Sequence, residues 1–177
     1  MPGKGFVRSG IGEKKDQFRV TFYDNEFKET WKYETSADAK GYEAFILSDL
    51  NSQYVSGITL RRDGMMSKKM EYFLTVFSTE TGKKLIDVSA EKSKQQLSIT
   101  STILQEGSNQ VLLQGEFYDL EDKAGVNKSN GFYIKTYDLS TGKEVSENSI
   151  PGKRTSPSCL MPRATNRMSK KKQRLPG

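Results

Sequence analysis

One strand–turn–strand unit occurs three times in this chain, and that repetition limits its possible folds more than any other feature. The first copy runs FRVTFYDNEFKETW (Phe18–Trp31), the second YFLTVFSTETGKKL (Tyr72–Leu85) and the third FYIKTYDLSTGKEV (Phe132–Val145). They align without gaps at separations of 54 and 60 residues, so that Tyr23, Phe77 and Tyr137 coincide, as do Val20, Leu74 and Ile134. Alternating β-branched and aromatic residues ahead of a Thr-Gly-Lys turn (Thr81–Lys83, Thr141–Lys143) read as a hairpin. Glycine suits the left-handed position of such a loop, where a Cβ would be strained. Lys28 replaces it in the first copy, so that turn must differ or carry strain.

The repetition extends upstream. Glu43–Ser48 and Gln53–Leu60 precede the second unit, and Leu97–Leu104 and Gln110–Tyr118 precede the third. Each pair of β-rich runs is separated by a polar turn, and Gly57 and Gly115 fall at matching places in the second run of each pair. Ahead of the first unit there is room only for Phe6–Ile11. The chain therefore reads as two complete four-stranded units and one that lacks its first strand. Phe45-Ile46-Leu47 and Val111-Leu112-Leu113 are apolar on consecutive positions, which predicts burial on both faces of a sheet. The third and fourth strands are more mixed, as outer strands would be.

On these residues the chain resembles β-propeller repeat proteins of bacteria, whose blades are four-stranded meanders. The hairpin YDLSTGKEV (Tyr137–Val145) is similar to the outer hairpin of many of them. The resemblance covers residues 6–150 and implies an all-β fold of antiparallel four-stranded meanders: a partial blade at 6–34 and blades at 42–91 and 97–148, forming one region over 1–151. No Trp-Asp pair, kelch double glycine or propeller ligand signature accompanies it. Propellers close with about four to eight blades. About two and a half blades then imply a fragment of a larger propeller, a ring completed between copies, or an open stack with apolar faces exposed at its ends.

Composition removes whole classes of chemistry. The chain has no histidine and a single cysteine, Cys159. Histidine acid–base catalysis, serine and cysteine triads that use it, His-ligated or Cys-only zinc, and an internal disulfide framework are excluded. The net charge of +6 divides unevenly: residues 1–150 hold 20 basic and 22 acidic residues, and residues 151–177 hold 8 basic and no acidic ones. Residues 152–177 also carry Cys159 and three of the five prolines, and show neither strand nor helix periodicity. They are expected to be a disordered basic tail. Lys170, Lys171, Lys172 and Arg174 near its end are the candidate contact for nucleic acid or another polyanion, set against an ordinary solvated tail. No signal-peptide pattern opens the chain, and no run approaches the ~18 apolar residues of a membrane helix.

The remaining candidates are loops. Glu116, Asp119, Glu121 and Asp122 form an acidic cluster placed in the loop between the second and third strands of the last unit. Its spacing does not fit an EF-hand, and a charge-balanced solvated loop explains it. Arg61, Arg62, Lys68 and Lys69, with Met65 and Met66, form the counterpart loop, in which adaptable methionines could meet a partner; the loops 61–71 and 119–131, the latter with Asp119, Glu121 and Asp122, are the candidate interaction loops. Gly82-Lys83 and Gly142-Lys143 lack the rest of a phosphate-binding loop and read as turns. Trp31 and Tyr33 are expected to pack on a neighbouring unit rather than on a sugar or peptide. The expectation from sequence is a non-catalytic structural or protein-interaction module, with no metal or cofactor and with itself or another protein as partner. The competing readings are a ligand-binding or enzymatic propeller fragment whose active groups lie on missing blades, and polyanion binding through the tail. The resemblance also makes an exported parent protein an expectation.

Overall fold

A computed structural model describes residues 5–14, 17–35, 41–63, 70–90, 95–119 and 129–152. The expected tail beyond 152 lies outside them, as do most of the two interaction loops. The described chain is all β. Strands β1 (Phe6–Ile11), β2 (Phe18–Tyr23) and β3 (Glu29–Glu34) form one antiparallel sheet in the order β1-β2-β3. Strands β4 (Tyr42–Leu50), β5 (Tyr54–Arg62), β6 (Glu71–Ser78) and β7 (Lys84–Ser89) form a second antiparallel meander. Strands β8 (Gln95–Leu104), β9 (Gln110–Asp119), β10 (Gly131–Asp138) and β11 (Glu144–Pro151) form a third of the same order.

The three sheets pack face to face because alternate residues of each strand carry apolar side chains to opposite faces. Between the first and second sheets lies an aromatic layer. Phe18 stacks on Phe45 at 5.6 Å, Tyr33 tilts against Phe77 at 4.8 Å, and Trp31 lies 6.4 Å from the same ring. Between the second and third sheets the layer is mostly aliphatic: Ile58, Leu74, Val76 and Ile86 meet Leu97, Val111 and Leu113, with Tyr133 and Tyr137. Leu74, Thr75, Val76 and Phe77 are wholly buried on successive positions of β6, the three apolar ones each contributing roughly 1.5–3 kcal/mol of transfer free energy. Strand β6, in the middle of its sheet, is covered from Leu74 to Phe77, whereas β10 keeps the mixed pattern read from sequence, with Phe132 56% and Ile134 38% exposed. The first strand is an edge strand, and there Ile46 remains 50% exposed beside a buried Phe45. Consecutive apolar residues did not bring two-faced burial at that position.

Two details of the repeat change in three dimensions. Trp31 stands opposite Phe22 as Ile86 stands opposite Val76 and Ser146 opposite Thr136. Trp31 is therefore the counterpart of Ile86, and the gapless alignment slips by one residue after the first turn. The reason is a shorter loop: Asp24 N–H bonds to the Lys28 carbonyl, whereas Ser78 bonds to Lys83 and Asp138 to Lys143. The shorter turn places Phe27 at φ 64°, where its counterparts use Gly82 and Gly142 at φ 67°. Gly57 and Gly115 also do not match. Gly57 faces Thr75, and Gly115 faces Tyr133, the counterpart of Phe73. Each glycine answers a local close approach instead: a Cβ on Gly57 would meet the Ile46 carbonyl, and one on Gly115 the Ser98 carbonyl.

Side chains join the first strands of the second and third sheets. The Thr102 N–H donates to Ser48 Oγ at 2.8 Å, the Leu104 N–H to Asp49 Oδ2 at 2.7 Å, and the Ser56 and Thr102 hydroxyls lie 2.7 Å apart. The first two bonds satisfy backbone donors at the edge of β8 that no further strand of its own sheet would meet.

Candidate functional site

The basic group named from sequence is partly dismantled by the structure. Arg61 and Arg62 close strand β5 and are not loop residues. Arg61 is held by Glu43 across the sheet at 2.8 Å and by Asp87 at 2.6 Å, and its guanidinium lies 4.0 Å from the centre of the Phe73 ring. Asp87 also accepts from Lys84 at 2.6 Å and from Thr75 at 3.1 Å, and Thr75 meets the Thr59 hydroxyl at 2.7 Å. Burial alone would push the Asp87 carboxyl up. The hydrogen bonds from Lys84 and Arg61 outweigh it and hold the group below its ordinary value. Arg62 lies over Tyr42 at 5.7 Å. Met65, Met66, Lys68 and Lys69 lie outside the described residues.

The acidic cluster is not assembled either. Glu116 sits within β9, on the sheet, and accepts a hydrogen bond from the Tyr118 hydroxyl at 2.7 Å. That bond is the largest cause of the raised Tyr118 pKa. Asp119 is the last residue of β9, and Glu121 and Asp122 fall outside the described residues. Lys170, Lys171, Lys172 and Arg174 do so as well. Among the described residues no group of three or more metal-ligating side chains converges, and no helix is long and apolar enough to cross a membrane. Gly82 and Gly142 occupy hairpin turns. Trp31 and Tyr33 pack on Phe77 of the neighbouring sheet.

A second ion group occupies the same place in the third sheet with its charges redistributed. Lys135, the counterpart of Thr75, is 4% exposed and meets Glu144 at 3.1 Å and Glu147 at 4.0 Å. Glu144 and Glu147 are the counterparts of Lys84 and Asp87. Both groups lie on the inner faces of their sheets, paired side chain to side chain.

The outward faces differ. On the first sheet, Arg8, Arg19, Lys32 and Glu34 alternate with Thr21 and Tyr23. Arg19 forks onto both oxygens of Glu34, at 2.9 and 3.2 Å. The Glu13 N–H also donates to Glu34 and is the foremost cause of its lowered pKa, with Arg19 adding to it. At one corner Phe6 stacks on Tyr23 at 5.0 Å, and Phe27, 75% exposed, tilts against Phe6.

The outward face of the third sheet carries Phe132, 56% exposed, Ile134 and Ile103, with Ile150 opposite Phe132 on the edge strand and Leu112 half-buried between. Glu116 is its only charged side chain among the described residues of the rows from Ser98 to Ile103. In register, Thr136 takes the place of Val76, Ser146 of Ile86, Asn148 of Val88, Gln114 of Ile58 and Glu116 of Leu60. The face is thus neither a dry core nor a charged solvent surface. It mixes apolar side chains with neutral hydrogen-bonding ones, the composition that distinguishes protein interfaces by their shortage of charge. Sequence reasoning missed it. Its signal lay in the repeat itself, where neutral polar residues replace aliphatic ones and lysines do not.

A family described as a family of unknown function (DUF6770) matches residues 2–150. No curated protein and no solved structure matches the chain.

Proposed function

The chain belongs to the DUF6770 family, whose function is unknown, and from its geometry we propose that it is a non-catalytic protein-interaction module. In this reading it is a stack of β-propeller-type blades that offers the outward face of the third sheet to a protein partner. The observation that carries the reading is the state of that face. Phe132 and Ile134 are 56% and 38% exposed, while their counterparts Tyr72 and Leu74, and Phe18 and Val20, are covered or partly covered by the next sheet. Exposed apolar side chains gathered on a charge-poor face mark an interaction site.

Two further features support it. The strand order β4-β5-β6-β7 recurs as β8-β9-β10-β11, and each sheet lies against the next, as blades do. Asp87, whose ionisation is perturbed, is bonded to Arg61 across the sheet and to Lys84 on its own strand. A paired and partly buried carboxylate of this kind holds strands together.

Hydroxyl-radical footprinting tests the reading. Side-chain oxidation at Phe132, Ile134 and Ile150 is compared between cells that express the native protein and dilute purified protein. Protection of the three in cells is expected, with Phe27 oxidised equally in both. Equal oxidation of Phe132 and Ile134 in both settings overturns it.

A further inference from the structure

We propose that the outward face of the third sheet is a self-association surface, on which a second copy of this chain packs sheet against sheet about a two-fold axis. The proposal rests on the interaction reading above and names the occupant of the face.

Within the chain, that position of the repeat is twice filled by another sheet of the same kind. The face carrying Phe18 and Val20 is covered by Phe45 and Phe77, and the face carrying Leu74 and Val76 by the third sheet. The open face carrying Phe132 and Ile134 continues the same stacking, and a second copy supplies a sheet of matching chemistry.

Charge decides which face of that copy arrives. A head-to-tail arrangement would bring Arg8, Arg19, Lys32 and Glu34 against Ile103, Phe132 and Ile134. Arg19 and Glu34 are paired, but Arg8 and Lys32 would lose water against an apolar surface, at a cost of several kcal/mol per ion. Two outward faces of the third sheet meet without that cost. Gln114 and Asn148 each carry a donor and an acceptor, and Thr136 and Ser146 do likewise. Such groups can bond to their own copies, whereas a charge repels its copy. A face of this kind is self-complementary, as a two-fold contact requires. Glu116, the one charge present, already accepts from Tyr118.

The size of the face sets the strength. Four strands about 4.8 Å apart and eight residues long at roughly 3.3 Å each give about 500 Å² of flat face per copy. Stable complexes bury about 800 Å² per partner, so the dimer is weak and reversible.

Sedimentation velocity on the full chain over a wide concentration range reads this out. The expected result is a rise from the 20.0 kDa monomer to twice that mass and no further. Ile134→Lys, at an exposed position, weakens association at least tenfold, and Gln114→Glu does the same should the first variant misfold. Arg8→Glu leaves association unchanged. A monomer at every concentration overturns self-association; if Phe132 and Ile134 are still protected in cells, the interaction reading stands with a different protein as partner. Growth beyond a dimer that Arg8→Glu abolishes overturns the two-fold arrangement in favour of head-to-tail stacking.

Discussion

The indole N–H of Trp31 donates to the carbonyl of Thr79 at 2.7 Å, fastening the outer strand of the first sheet to the hairpin of the second. The six-membered side of the same indole lies over Gly82: a Cβ there would stand 2.6 Å from Trp31 Cδ2, whereas one on Gly142 would meet only Ile86 Cγ1 at 4.0 Å. Both glycines hold φ 67°, so an alanine at either suffers the same backbone strain, about 1–2 kcal/mol. Only the Gly82→Ala variant must also displace the indole. Gly82→Ala is therefore expected to cost at least about 1 kcal/mol more than Gly142→Ala in urea unfolding at unchanged slope. Trp31 is the chain's single tryptophan, and its emission shifts in the first variant and not in the second. Equal losses would mean that the hairpin yields freely under the indole.

Phe27 offers the opposite case. It holds φ 64° with a full side chain and is 75% exposed, its ring touching Phe6. Left-handed backbone is unfavourable for a residue of this shape and ordinary for asparagine. Phe27→Asn gives up one exposed ring contact and removes most of the strain. A gain of about 0.5–1 kcal/mol is expected, visible as a higher thermal midpoint. A loss would show that the Phe6–Phe27 contact outweighs the strain.

These two hairpins also mark what was legible beforehand. The alternation of Tyr72–Ser78 and Phe132–Asp138 was enough to place β6 and β10, and the polar turns 49–52 and 106–109 separated the strands before them. The shorter first turn was not legible, because a one-residue deletion leaves Tyr23 and Trp31 both plausible in a gapless alignment. Only cross-strand register shows that Trp31 replaces Ile86. The Arg61–Asp87–Lys84 group joins residues from three places in the sequence, and no local pattern announces it. The outward face of the third sheet was not legible: the repeat equates Phe132 and Ile134 with Phe18 and Val20, and only their exposure separates an open face from a covered one.

Acid should expose the Asp87 group. Hydrogen bonds from Lys84 and Arg61 hold this carboxyl below its ordinary 3.8 in spite of burial, which alone would raise it. The unfolded chain then takes up the proton first as acid is added. The stability that Asp87 contributes is complete above pH 3.8 and is lost as pH falls through the lower folded value. Asp87→Asn is expected to cost about 2 kcal/mol at neutral pH, less than a fully buried pair would, since the side chain is 21% exposed. The variant should also show a shallower fall in stability across the acid range. An unchanged acid profile would assign acid sensitivity to other carboxylates.

Alkali acts on the other inner layer. Burial pushes the Tyr137 phenol from its ordinary 10.0 to about 12, with Glu144 adding to it, and burial raises Tyr133 further. For a phenol held neutral in the folded state, the unfolded chain loses its proton first. The contribution is complete below pH 10 and is lost progressively as pH rises towards 12. Lys84, raised by Asp87 against its burial, is also lost above its ordinary 10.5, so stability alone does not separate the two. Tyrosinate absorbance does. Of the eight tyrosines in the chain, Tyr133 and Tyr137 should ionise only as the circular-dichroism signal of the sheets collapses. In the Tyr137→Phe variant that late step should shrink, and the alkaline loss of stability with it. Ionisation of all eight before any loss of sheet signal would mean that water reaches these phenols between the second and third sheets.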